Sequence, residues 1–425
     1  GGMDPFETGL YGSSEMFVNG FRYLIESGIV KRKVYDDLTI QTLLNDGDIE
    51  DNVTDSTLRT LIDAGAVGAC LSPEDLEYLK YWGILKADVS LEEGKVVAGG
   101  VSIANDFSNP GNYQQLMDHG KGDELRHGVY MHGGFFLGPQ SFYQYLRDMP
   151  CEEAKNICMS SVGHINQLSY DSSLLTVQRR EARFINTGMM VTLGGSVVSD
   201  GLQDGTVISG VGGQYNFVAM AHSLPDARSI LCVRSTRGSG KNAESNIVPY
   251  YGHITIPRHL RDIIVTEYGV ANLRGKTDEE VAIALIKVAD SRFQEELLEF
   301  AKDNGKVSKD YELPSEYRNN TPEKINRWIS QWREQGHFPA FPLGTDLTDE
   351  EIAIGKSLKD IKALMDNPRK LIKAIVKSFV HDVDEAGARK YLERMQLAHP
   401  DTAKETLIQH LLLLELEDNG YLRPI

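Results

Sequence analysis

Between residues 128 and 280, short apolar runs alternate with helical patterns, and this alternation restricts the fold more than any other feature. "TVISG" (206–210), "SILCVRS" (229–235) and "DIIVTEYG" (262–269) have the apolar, β-branched character of strands. "NFVAMAHSL" and "TDEEVAIALIKVAD" have helical spacing, and Thr277 with Glu280 opens the second in the pattern of a capping box. Strand and helix in turn predict α/β layers around a mostly parallel sheet. A chain of 425 residues has room for two or three domains.

The flanks read differently. Residues 37–127 hold 17 acids against 6 bases and are broken by glycines. One clear helix start, "SPEDLEYL", has Ser72 as cap, Pro73 at the first helical position and Asp75 three after the cap, as in a capping box. This segment is expected to be an inserted acidic subdomain. Residues 301–425 read as a helical extension, with starts at "NTPEKINRW", "LTDEEIAIG", "DNPRKLIKAIV" and "HPDTAKETLIQHLLLL". At the head of the chain, Phe17, Phe21, Leu24 and Ile25 share one face of a helix predicted over 14–27, capped by Ser13 or Ser14 and ended by Gly28. That places Glu15 on the first turn, where an acid favours the helix dipole by a few tenths to ~1 kcal/mol.

A net charge of −17 argues against a nucleic-acid partner. No run of about 18 apolar residues is present, so no membrane span is expected. The first thirty residues lack a basic start with an apolar core, so no secretion signal is expected. Four cysteines without CxxC spacing predict free thiols in the cytoplasm. The histidines show neither HxxxH nor HExxH spacing, so no metal site is expected.

Four stretches could carry chemistry. Gly210, Val211, Gly212 and Gly213 lie where a strand is predicted to give way to a helix, and backbone N–H groups there can approach an anion or oxyanion. A tight turn is the plainer reading, and GxGxxG is not completed. Residues 234–276 hold 7 bases and 3 acids, an island suited to an anionic ligand or to solvent alone. Within it "RSTRGSGKNAE" contains Arg234, Arg237 and Gly238 but fails the P-loop pattern. Glu267 ends a predicted strand, where it could serve a site or pair with Arg258 or Arg274. Asn186 could donate to a carbonyl or simply form a turn.

In order and spacing, "SGVGGQYNF", "VRSTRG", "IVP", "ITIPR" and "VTEYGVANLRGKT" resemble the C-terminal domain of the acetyl-CoA hydrolase/transferase family, within the class I CoA-transferases. "GLYGSSEMFVNGFRYLIESGIV" resembles the family segment that carries its catalytic glutamate. The resemblance implies a NagB/RpiA-like layered fold, with residues 1–36 and 128–300 forming the catalytic domain around the insertion. It implies that Glu15 is the nucleophile, that Gly212, Gly213 and Asn186 stabilise oxyanions, and that Glu267 is auxiliary. Gly210, Val211, Arg234, Arg237, Gly238, Arg258 and Arg274 are then expected near coenzyme A. It further implies acyl-CoA and small carboxylates as substrates, with coenzyme A transfer or acyl-CoA hydrolysis as the reaction; a catalytically silent coenzyme A-binding protein is the alternative from another class. No tightly bound cofactor is implied. An N-terminal half of similar fold, outside these residues, and a homodimer are the expected partners.

Overall fold

A computed structural model describes residues 8–238, 240–365, 367–380 and 385–423. They form two compact units, up to residue 342 and from 343 onward. The first unit contains two separate sheets that matter for the site.

The first sheet is wholly parallel, in the order β1 (Gly12–Val18), β2 (Met131–Leu137), β3 (Ile157–Met159). Helix α1 (Asn19–Glu26) follows β1 directly. The helix predicted over 14–27 is therefore half strand, and Glu15 lies on β1, not on a first turn. The reason is tertiary. Ser14 pairs with Gly133 and Met16 with Phe135, while Phe17 is buried beside Met131 and Phe142. Gly134 permits the close approach of the two strands, since a Cβ there would sit 2.8 Å from the Glu15 carbonyl oxygen.

The insertion hangs on a narrow stem. Val34 and Val129 exchange two backbone hydrogen bonds of 2.9 Å. Beyond it, residues 37–127 form their own core around Ile40, Leu61, Leu79, Trp82, Val96 and Leu116. Helix α2 (Leu38–Asp46) opens this subdomain, and the capping box of Ser72 and Asp75 forms as the sequence predicts. Two short helices precede the second sheet, α3 (Val162–Asn166) and α4 (Ser172–Gln178).

The second sheet has β4 (Arg183–Thr187), β5 (Arg228–Cys232) and β6 (Ile263–Thr266) in parallel, with β7 (Gly269–Asn272) antiparallel on the edge beside β6. Helix α5 (Gln214–Ser223) connects β4 to β5, and its Met220 and Ala221 pack against Phe184. Helix α6 (Asp278–Lys287) covers the other strands, opened by the Thr277–Glu280 capping box. "TVISG" is not a strand. Only an isolated bridge, Gly201 to Val207, forms there, and Val207 and Ile208 face solvent with no ladder to bury them. An apolar, β-branched run becomes a strand only where a partner strand is in reach.

The second unit is helical, with Asp349–Met365, Pro368–Val380, Glu385–Arg394 and Ala403–Asp418 around Ile354, Ile361, Leu392, Leu412 and Leu416. Helix Pro322–Arg333 belongs to the first unit.

Candidate active site

Glu15 reaches across from the first sheet to the helix that serves the second. Its Oε2 accepts the Gly213 backbone N–H at 2.9 Å and the Asn166 Nδ2–H at 3.0 Å. Gly213 is the N-cap of α5, so the carboxylate sits at the positive end of a ten-residue helix. Oε1 has no hydrogen-bond partner among the described residues. One oxygen is thus fixed by two donors and the other keeps its lone pairs, the arrangement a carboxylate nucleophile needs. Gly212 lies beside it at φ +56°, and a Cβ there would stand 3.8 Å from Glu15 Oε2.

The side-chain amide at this point is Asn166, not the expected Asn186. Asn186 stands near the end of β4, opposite Leu231, and makes no hydrogen bond to Glu15. Asn166 ends the short helix α3, which Ser161 caps through the His164 N–H, and is only 7% exposed. Its Oδ1 is buried without a partner. No motif marks it in the sequence.

Other expected site residues are placed elsewhere or engaged differently. Glu267 turns the chain between β6 and β7. It accepts from the Ser235 N–H at 2.9 Å and the Ser235 hydroxyl at 2.6 Å. It pairs with neither Arg258 nor Arg274, and it shares no hydrogen-bond partner with Glu15. Arg258 and Arg261 both bind Asp278, at 3.0 and 2.9 Å, while Arg274 and Arg228 share the buried Asp262. Arg237 binds Glu244 and the Ser245 carbonyl across a two-stranded turn that includes Gly238. Arg237, Arg258 and Arg274 therefore each have a carboxylate partner in this structure. Arg234 is exposed, and its side chain has no polar partner among the described residues. Gly210 and Val211 lie on the exposed approach to the glycine junction. Among the described residues no three His, Cys, Asp or Glu side chains are grouped to hold a metal.

Beneath β1 lies a buried polar layer. The Tyr11 hydroxyl and His132 Nδ1 are 2.7 Å apart. Burial pushes the Tyr11 phenol up to about 12, so it stays protonated at neutral pH. His132 is 1% exposed, and burial first, then the neighbouring His164, lowers its pKa to about 4. The unfolded ring binds its proton near 6.5, so the unfolded state holds more protons between those values. Stability from this group is complete above about pH 7 and is lost as pH falls from about 6.5 to 4. Urea unfolding should show His132 contributing about 2 kcal/mol of the loss between pH 7.5 and 5. His132→Gln should flatten that part of the profile, whereas an unchanged profile contradicts the assignment.

The comparisons with known proteins bear on this geometry. Residues 138–301 match the acetyl-CoA hydrolase/transferase C-terminal domain. Over 174 residues the chain is 35% identical to the 4-hydroxybutyrate coenzyme A transferase of Clostridium kluyveri, covering 40% of this chain and 37% of that one. It is 33% identical over 172 residues to a probable butyrate:acetyl-CoA coenzyme A-transferase of Syntrophomonas wolfei, covering 40% and 36%. Among solved structures, RipA from Yersinia pestis is 31% identical over 42% of this chain and 38% of its own, with a TM-score of 0.36. The chain therefore spans less than two fifths of the length of these curated relatives. Asn166, Gly212, Gly213 and Glu267 lie inside the matched segment, and Glu15 lies before it. Over residues 138–301 this chain is thus similar to the acetyl-CoA hydrolase/transferase C-terminal domain.

Proposed function

We propose that the chain is an enzyme component that moves coenzyme A from an acyl-CoA thioester to a carboxylic acid, with Glu15 as the covalent carrier. The observation that supports this reading most is the two-donor clamp on Glu15 Oε2 with Oε1 left open. Oε1 attacks the thioester carbonyl, the C–S bond breaks, and an acyl-glutamyl anhydride and CoA thiolate result. The thiolate then attacks Cδ of Glu15, and the acyl group leaves as its carboxylate. A glutamyl-CoA thioester remains. A second carboxylate attacks that Cδ and expels the thiolate, which takes the new acyl group and frees Glu15.

Each attack on Cδ puts negative charge on the glutamyl oxygen. Oε2 already accepts from Asn166 and Gly213, so these two donors act as the oxyanion hole for that step. Arg234 and Lys241 are the exposed cations of the island with no carboxylate partner among the described residues, and they are proposed to meet a phosphate. The fold proposed for the catalytic region is the layered CoA-transferase arrangement, and the rest of the acyl pocket is assigned to a further half outside these residues.

Hydrolysis would use the same carboxylate with water as acceptor. Incubation with acetyl-CoA, with and without butyrate, separates the two. Transfer predicts butyryl-CoA formation and acetyl-CoA loss that depends on butyrate. Equal loss without butyrate, with no new thioester, would make the reaction hydrolytic.

A further inference from the structure

Behind the Glu15 clamp lies a cation with no anion. Arg179 follows α4 and is 3% exposed. Its Nη2 donates to the His164 carbonyl at 2.6 Å, on α3. Its Nη1 lies 2.8 Å from the Met220 sulfur, on α5. Nε is buried without a hydrogen-bond partner, and the guanidinium forms no ion pair among the described residues. A buried, unpaired guanidinium costs several kcal/mol, and an apolar side chain would fill the space at less cost. Packing alone does not account for it.

What it touches is specific. Helix α3 carries Asn166, and α5 begins just after Gly213. One planar group therefore spans the two elements whose donors converge on Glu15 Oε2. The segment carrying it is pinned from the other side by the insertion and its stem. Asn45 Nδ2 donates to the Val177 carbonyl at 2.8 Å, and Arg180 Nη1 to the Asn45 carbonyl at 2.9 Å. Gln178 Nε2 donates to the Tyr35 carbonyl at 2.9 Å and to Asp36 Oδ1 at 3.1 Å.

We infer that Arg179 is a positioning residue for Glu15: it sets the separation of α3 and α5 at which Asn166 and Gly213 meet one carboxylate oxygen, with the inserted subdomain as its anchorage. Its consequence for catalysis rests on the reading of Glu15 as nucleophile; its consequence for geometry does not.

Two readouts on the whole chain test it in Arg179→Met and Arg179→Lys. The first is hydrogen exchange at the Gly213 amide, calibrated by Glu15→Ala, which removes the acceptor. Arg179→Met should speed that exchange about 10-fold, the equivalent of one lost hydrogen bond, while core amides of β5 keep their protection. The second is the rate constant for covalent labelling of Glu15 by acyl-CoA, taken per folded molecule. It should fall about 100-fold in Arg179→Met, with the half-saturating acyl-CoA concentration within about twofold. Arg179→Lys keeps the charge but cannot span both helices, so it should recover only part of either loss. Unchanged Gly213 exchange in Arg179→Met overturns the inference. If that variant does not fold, wild-type exchange and labelling in Arg179→Lys overturn it, and partial loss supports it. If the wild type itself takes no label, the proposed function fails while the exchange comparison still decides the role of Arg179.

Discussion

Replacing Gly213 with alanine is expected to abolish most of the Glu15 chemistry while leaving the protein folded. A Cβ at this position would lie 2.6 Å from Asn166 Nδ2 and 2.7 Å from Glu15 Oε2, closer than carbon tolerates. The backbone does not oppose the change, since Gly213 has φ −84°, a value any residue adopts. The added methyl must therefore displace the amide and the carboxylate, and both hydrogen bonds to Oε2 suffer. Losing one oxyanion donor typically costs ~10²–10³ in rate, so a loss of at least that size is expected in Glu15 labelling by acyl-CoA. Overpacking should cost only about 1–3 kcal/mol of stability by urea unfolding. Gly355 is the control. It has open space around it, so Gly355→Ala should label at close to the wild-type rate. Equal rates in the two variants would mean that the contact between Glu15 and the glycine junction has no part in the reaction.

Asp262→Ala should have the largest effect on stability in the first unit. The Asp262 side chain is 0% exposed and accepts from Arg228 at 2.6 Å, from Arg274 at 2.7 Å and from the Ser229 N–H at 2.7 Å. It ties the start of β6 to the start of β5 and to the segment after β7. Removing it leaves two guanidiniums without their carboxylate and a buried N–H without its acceptor. Breaking a buried pair of this kind costs ~3–5 kcal/mol, whereas an exposed pair is worth ~0–1 kcal/mol. Arg237 and Glu244 form such an exposed pair, so Glu244→Ala should change urea unfolding by less than about 1 kcal/mol. Comparable losses in the two variants would contradict this assignment of stability.

Where local chemistry decides the structure, the sequence was legible. The capping boxes at Ser72 and Thr277 formed at their expected residues because cap and partner lie three positions apart. The α/β alternation also carried through in "SILCVRS" and "DIIVTEYG", whose strands find parallel neighbours. Glu15 was misplaced on a helix because Ser13 and Ser14 look like caps and Phe17, Phe21 and Leu24 keep a helical period. The strand that overrides this pattern, β2, lies beyond the whole insertion. "TVISG" failed for the opposite reason, having strand residues and no ladder to join.

The facing of Glu15 and Gly213 spans 198 positions, and only the family resemblance suggested it. Asn166 was missed because a lone Asn on a five-residue helix has no spacing signature, and its partner is 151 residues away. Charge summed along the chain does not show which cations have carboxylate partners: in space, Arg258 and Arg261 meet Asp278, just outside residues 234–276, and Arg228 joins Arg274 on Asp262.

The most direct test of Glu15 as a covalent carrier is the intact mass of the protein after incubation with an acyl-CoA. A glutamyl-CoA adduct that maps to the Glu15 peptide, is lost on borohydride treatment and is absent from Glu15→Ala is the predicted result. An adduct of equal yield in Glu15→Ala would remove this carboxylate from the reaction, whatever its fit against Asn166 and Gly213.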